Sequence, residues 1–220
     1  MIKAVMCDMD GLLLDSEQVC LDAFIEVGAG FDLLDPPQLT EIFHRCVGLR
    51  MGDSRVILDQ TIGLLMERQV FDAAWDIAID TRMAVQVPTK AGAKDMLAAL
   101  HAAGIPVGVA TSTQTARARH HLEEAGLLPF LTAVVGGDQV ENGKPDPESY
   151  LKLADILGSD PTECAAFEDS DTGTLAAVHS GAWVVQVPDL KPPSDQTRDL
   201  GHHIAVDLLS GAARLGLPVA

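Results

Sequence analysis

Two aspartates, Asp8 and Asp10, follow the short apolar run 2–7 and precede Gly11. Three more groups of polar side chains stand just past apolar runs or in the loop beyond one: Thr111-Ser112-Thr113, Lys144 within Gly143-Lys144-Pro145-Asp146-Pro147, and Glu168-Asp169-Ser170. Crowded carboxylates repel one another, and a hard divalent cation with oxygen ligands, Mg2+ above all, removes that repulsion. The same ion neutralises phosphoryl oxygens, so that an anionic nucleophile can approach an anionic substrate. The chemistry open to these residues is therefore attack of the Asp8 carboxylate on phosphorus, giving an aspartyl-phosphate. Asp10 is placed to protonate the leaving oxygen and later to deprotonate the attacking water. The hydroxyl of Thr111, with Ser112 and nearby backbone N–H groups, would bind phosphoryl oxygens, and Lys144 would supply fixed positive charge. Gly11 lets the backbone turn closely past the site.

Each group also has a plainer reading. A D-x-D pair is often a solvated turn. Thr111-Ser112-Thr113 fits a cap for a helix starting near Gln114. Lys144 fits an exposed lysine in a proline turn, and Glu168 and Asp169 fit surface acids before a helix capped by Asp171. Taken together, in this order and each beyond a strand, the groups point to one site.

The elements that must position them alternate. Apolar runs at 2–7, 106–110, 133–135, 164–167 and 183–187 read as buried parallel strands. Helical stretches at 91–103, 114–125, 147–157 and 172–180 lie between them, several stopped by glycine. This predicts an α/β fold, a Rossmann-like parallel sheet with helices on both faces, which binds ligands beyond the carboxyl ends of its strands. Residues 16–86 break the alternation with helical stretches at 16–27, 37–46, 53–66 and 72–83 and no strand. The expected organisation is a discontinuous core, 1–15 and 87–220, with an inserted all-helical domain at 16–86. The insert would act as a lid hinged near Asp15-Ser16 and 85–88. After Leu190 a loop, an edge strand at 204–206 and a last helix at 208–215 are expected.

Composition narrows the partners. The chain has 220 residues, 47% of them hydrophobic, and a formal net charge of −17. Such a charge disfavours nucleic acid and anionic membrane, leaving a small phosphorylated metabolite as the expected partner of a monomer. No run reaches the length of a membrane span. The four cysteines form no C-x-x-C pair, which with the absence of a signal-peptide pattern points to a reduced, cytoplasmic setting. His120-His121 and His202-His203 diverge as tandem pairs and are not read as ligands. Trp75, Trp183 and Cys7 are read as packing residues.

At the quoted motifs the chain resembles the haloacid dehalogenase superfamily, in its branch with a helical cap after the first strand. The likeness rests on Asp8-Met-Asp10-Gly-Leu-Leu-Leu-Asp15-Ser16-Glu17, Val109-Ala110-Thr111-Ser112, Gly143-Lys144-Pro145-Asp146-Pro147 and Phe167-Glu168-Asp169-Ser170-Asp171-Thr172-Gly173. It implies Asp8 as nucleophile and Asp10 as acid/base. It further implies Mg2+ held by the Asp8 carboxylate, the Asp10 backbone carbonyl and Asp169, with Glu168 nearby. Sugar-phosphate phosphatases and β-phosphoglucomutase are the most similar branches. Gly48-Leu49-Arg50 is similar to a cap segment of the hexose-phosphate phosphatases, which makes Arg50 the expected specificity residue. Cys7 stands where the family usually has Phe. Cys20 stands where the mutase pattern has His, and Met51 falls near that pattern's cap Arg. Asp10 argues against the dehalogenases, and residues 16–86 lack the lysine that phosphonate-cleaving relatives need. The expected function is a phosphatase. A sugar-phosphate mutase using cap arginines, or a phospho-acceptor module without turnover, are the alternatives.

Overall fold

The computed structural model describes residues 2–47, 51–85 and 87–219, with the backbone alone at 51–53. The chain forms two compact units, Met1–Asp15 with Pro88–Ala220, and Ser16–Val87. Among the described residues no helix is long and apolar enough to cross a membrane.

The chain enters the first unit with strand β1 (Ala4–Cys7) and then builds the second unit from α1 (Ser16–Gly30), α2 (Pro36–Cys46), α3 (Met51–Asp59) and α4 (Arg68–Val85). The second unit closes around aromatic rings. Phe24 of α1 lies 5.7 Å from Phe43 of α2 and 5.1 Å from both Phe71 and Trp75 of α4, centroid to centroid. The last two contacts are edge-on, the arrangement the ring quadrupole favours. The indole N–H of Trp75 donates to the Cys20 carbonyl at 2.9 Å, tying α4 to α1. Gly28 lets α1 approach α2, since a Cβ there would meet Leu39 Cδ2 at 2.5 Å. Asp35 and Gln38 form a capping box that fixes the start of α2. The helix expected over 53–66 is shorter: α3 ends at Asp59, and a 3-10 turn at Ile62–Leu64 follows. The Thr61 hydroxyl bonds back to the Ile57 carbonyl at 2.8 Å, a local bond that competes with helix continuation.

The first unit continues through α5 (Ala93–Ala102), β2 (Val107–Ala110), α6 (Thr115–Glu124), β3 (Ala133–Val135), α7 (Glu148–Ile156), β4 (Cys164–Glu168), α8 (Asp171–His179), β5 (Trp183–Gln186), α9 (Asp195–Arg198), β6 (His203–Ile204) and α10 (Leu208–Arg214). The six strands lie in the order β3-β2-β1-β4-β5-β6 and all pair in parallel. β1, β2 and β4 are buried along their whole length, as unbroken apolar strands covered on both faces must be. One face packs small residues, Ala4, Ala110, Ala154, Ala166, Ala176 and Ala177 among them, under α7 and α8. Gly108 deepens the fit: a Cβ there would come within 2.5 Å of Leu153 on α7. This draws α7, and the loop before it, close over β2.

Two expectations fail in the first unit. Trp183 is 56% exposed and donates its indole N–H to the Thr162 carbonyl, so it is a surface residue at the start of β5 and not core packing. The stretch after Leu190 is not all loop, because Ser194 caps α9 with its side chain on Thr197 N–H.

The aromatic cluster makes Phe24 the keystone of the second unit. Phe24→Ala is expected to destabilise the protein by about 3–5 kcal/mol, read by urea unfolding. A change lost in the scatter of the wild-type measurement would mean that the ring contacts do not hold the unit together.

Candidate active site

Register brings the carboxylates together. Cys7 pairs with Val109 on one side and Phe167 on the other. Asp8, one residue further, therefore sits level with Ala110 and Glu168, at the ~4.8 Å spacing of neighbouring strands. The Asp8 N–H still donates to the Phe167 carbonyl at 3.0 Å, so the sheet itself holds its backbone. Asp8, Glu168 and Asp169 are all buried, and each offers an oxygen within 4.8 Å of the others.

Lys144 reaches into this cluster from the loop before α7. Its Nζ lies 2.5 Å from Asp8 Oδ1, 2.5 Å from Glu168 Oε1 and 2.9 Å from the Ala110 carbonyl. Burial pulls the ammonium's pKa down, but Asp8 and Glu168 outweigh it and hold the group above the ordinary lysine value. At Asp8 burial is the largest influence. It raises the carboxyl, with Glu168 and Asp10 adding to it and Lys144 opposing, to about 8. One lysine thus does not offset the burial of Asp8 together with its carboxylate neighbours. Glu168 gains a further donor from the Tyr150 hydroxyl at 2.6 Å. Burial first, then Glu168 and Asp8, keep that phenol protonated as a donor.

Asp10 is half-buried and has a different environment. Its Oδ2 accepts from Thr113 Oγ1 at 2.8 Å and from Thr111 Oγ1 at 3.3 Å. The Thr113 N–H in turn donates to Thr111 Oγ1. These hydroxyls are not spent on capping α6. Gln114 is that helix's N-cap and makes no side-chain cap bond, while Asp138 accepts from the Thr115 N–H at 2.6 Å. Ser112 beside them is exposed.

Glycines let the chain pass the carboxylates. Gly11 has φ +82°, and a Cβ there would stand 2.5 Å from Asp169 Oδ2. Its placement is thus a close backbone approach to Asp169. Gly173, in the first turn of α8, lies so near Glu168 that a Cβ would meet both of its oxygens at 2.1 Å. The α8 cap is Ser170, which accepts from the Gly173 N–H, and not Asp171. Asp171 instead accepts from Ser194 N–H and Gln186 Nε2.

The structure therefore brings Asp8, Asp10, Thr111, Lys144, Glu168 and Asp169 to one edge, with Gly11 against Asp169. Arg50 lies outside the described residues. Sequence reasoning missed Tyr150 and the link from Thr113 to Asp10. Tyr150 is the chain's sole tyrosine. It sits inside an apolar helical pattern that reads as core, so nothing short of the fold reveals its partner. The donor set is oxygen alone, crowded and undercompensated, which fits a hard divalent cation and not a thiolate- or imidazole-seeking metal.

Sheet order and site together define a Rossmann-like α/β protein with a cation-fit acidic centre at its strand ends. A family model for haloacid dehalogenase-like hydrolases matches residues 2–181, and the chain belongs to that family. It is 28% identical over 180 residues to a phosphorylated carbohydrates phosphatase of Thermotoga maritima, covering 82% of each chain. It is 29% identical over 182 residues to the fructose-1-phosphate phosphatase YqaB of Escherichia coli, covering 82% of this chain and 93% of that one. Among solved structures, a HAD family hydrolase from Deinococcus radiodurans with bound phosphate and sodium superposes with a TM-score of 0.81 at 29% identity, covering 99% and 97% of the two chains.

Removing the Tyr150 hydroxyl leaves Glu168 short of a donor at a fully buried position. Tyr150→Phe is expected to lower stability by about 1–3 kcal/mol, measured by denaturant unfolding without added metal. Unchanged stability would mean that the hydroxyl does not serve Glu168.

Proposed function

We propose that the chain is a Mg2+-dependent phosphatase of small phosphate monoesters, sugar phosphates foremost, acting through an aspartyl-phosphate on Asp8. The observation that carries this reading is Lys144 bound to both Asp8 and Glu168 within a buried carboxylate cluster, with Asp10 held separately by threonine hydroxyls. The two named sugar-phosphate phosphatases among the relatives support the substrate class, and the net charge of −17 disfavours a nucleic acid. The free cysteines and the absence of a spanning helix among the described residues fit a cytoplasmic enzyme.

Asp8 is fixed by the sheet behind it and by Lys144 beside it, so its free oxygen is oriented for in-line attack on phosphorus. As the P–O bond to the sugar breaks, Asp10 gives its proton to the leaving oxygen. The same carboxylate then takes a proton from the water that attacks the aspartyl-phosphate, releasing inorganic phosphate and restoring Asp8. Thr111 and backbone N–H groups after β2 bind the phosphoryl oxygens, and Lys144 balances charge on Asp8. Asp8, Asp169 and the Asp10 carbonyl, with Glu168 nearby, would hold Mg2+, which would supply the charge that lets the two anions meet.

Wild-type protein is expected to release phosphate from p-nitrophenyl phosphate with Mg2+ and to stop on chelation. Asp8→Asn should abolish turnover, and Asp10→Asn should lower it by about 10²–10⁴-fold. Turnover surviving in Asp8→Asn would remove the nucleophile assignment. A panel of sugar phosphates should yield free sugar. Conversion of a β-hexose 1-phosphate to the 6-phosphate would instead make the enzyme a mutase.

A further inference from the structure

Asp189 lies three residues beyond β5, and its side chain is 8% exposed. Its Oδ1 accepts from Lys90 Nζ at 2.5 Å, and Lys90 also donates to Asp15 Oδ1 at 3.2 Å. Its Oδ2 is buried and accepts no hydrogen bond. The point where a Gly11 Cβ would stand is 3.3 Å from Asp189 Oδ2 and 2.5 Å from Asp169 Oδ2, so the two oxygens lie within 5.8 Å of each other.

A buried carboxylate oxygen needs a donor. Lys90 serves only Oδ1, and a second carboxylate oxygen, Asp169 Oδ2, lies within 5.8 Å of Oδ2. Two acceptors side by side suit something positively charged that carries O–H donors. A hydrated Mg2+ is such a group, because it binds through few carboxylates and keeps several of its waters. Carboxylates that accept from this hydration layer orient the ion and strengthen its binding.

We propose that Asp189, charge-balanced by Lys90, is an outer carboxylate of the cation site: Oδ2 accepts hydrogen bonds from the ion's waters beside Asp169. This rests on the reading of Asp8, Glu168 and Asp169 as a divalent-cation site. Asp189 is a positioning residue and touches no reacting atom. The pairing with Lys90 keeps it tolerable in the buried wall.

The test is calorimetric titration of Mg2+ into the metal-free full chain, with thermal melting of each variant alongside. Asp189→Asn keeps the shape and is expected to weaken Mg2+ binding by about 10–100-fold. Asp199→Asn removes an equal charge at an exposed position and is expected to stay within about twofold, because solvent screens it. Lys90→Met removes the competing positive charge, leaves Asp189 in place and is expected to tighten binding. Asp189→Asn that melts lower but binds Mg2+ like wild type overturns the proposal and leaves Asp189 as Lys90's partner only. Should Asp189→Asn not fold, unchanged or weaker binding by Lys90→Met overturns it. Wild-type protein that binds no Mg2+ overturns the cation-site reading itself, a result distinct from any loss confined to the variants.

Discussion

Everything at this edge of the sheet depends on the ammonium of Lys144. Parallel strands in register force Asp8 and Glu168 to the same level on adjacent strands, and burial denies both the solvation that would make this harmless. Breaking a buried charge pair by removing one partner typically costs about 3–5 kcal/mol. That is a large share of the roughly 5–15 kcal/mol that holds a domain folded. Lys144 is thus a structural requirement before it is a chemical one. Its loop is anchored by Glu148, which accepts from the N–H groups of Glu141 and Asn142, and its charge is shared between Asp8 and Glu168 at equal distance.

The second constraint is space. Two of the carboxylates press against backbone with no side chain in the way, Asp169 over Gly11 and Glu168 over Gly173. Gly11 must be glycine twice over, for its positive φ and for the oxygen 2.5 Å from its absent Cβ. Gly173 has no unusual φ, so its requirement comes from Glu168 alone. The sheet follows the same rule on a larger scale, with alanines and Gly108 on the face that meets α7 and α8. The second unit follows the opposite rule and gathers the rings of Phe43, Phe71 and Trp75 around Phe24. A small helical unit without a sheet needs large rings to bury enough apolar area, whereas layered helices on a sheet need small residues to come close.

These differences decide what the sequence made legible. The strands were readable because unbroken apolar runs mark buried parallel strands, and their ends located Asp8, Thr111 and Glu168. Glu168 is itself the last residue of β4 and not the first beyond it, because its backbone still pairs with β5 and its carbonyl accepts from the Val187 N–H. Caps were less legible: Ser170 and Asp171 both fit the start of α8, and only the position of Ser194 shows why Asp171 turns away. Asp138 capping α6 from another loop, and Tyr150 reaching Glu168 from α7, are contacts between residues far apart in the chain. No local pattern encodes them. Asp189 and Lys90 carry no signal in the sequence for the same reason, standing 99 residues apart and each ordinary in its own neighbourhood.

The two aspartates of the D-x-D pair show how neighbours in sequence come to differ in chemistry. Asp8 is partnered by an ammonium, whose charge makes their hydrogen bond stronger when the carboxylate is ionised than when it is protonated. Asp10 is partnered by threonine hydroxyls, which donate to a carboxylate and, on rotation about the C–O bond, accept from a carboxylic acid. Asp10 therefore keeps a partner in either protonation state, which a group that gives a proton and takes one back requires. Asp8 has a charged partner that favours its anion, which a nucleophile requires. The two-residue spacing is what allows this: Asp8 remains attached to the ladder through its N–H, while Asp10 stands beyond the strand, where the chain turns at Gly11 and the hydroxyls after β2 are within reach.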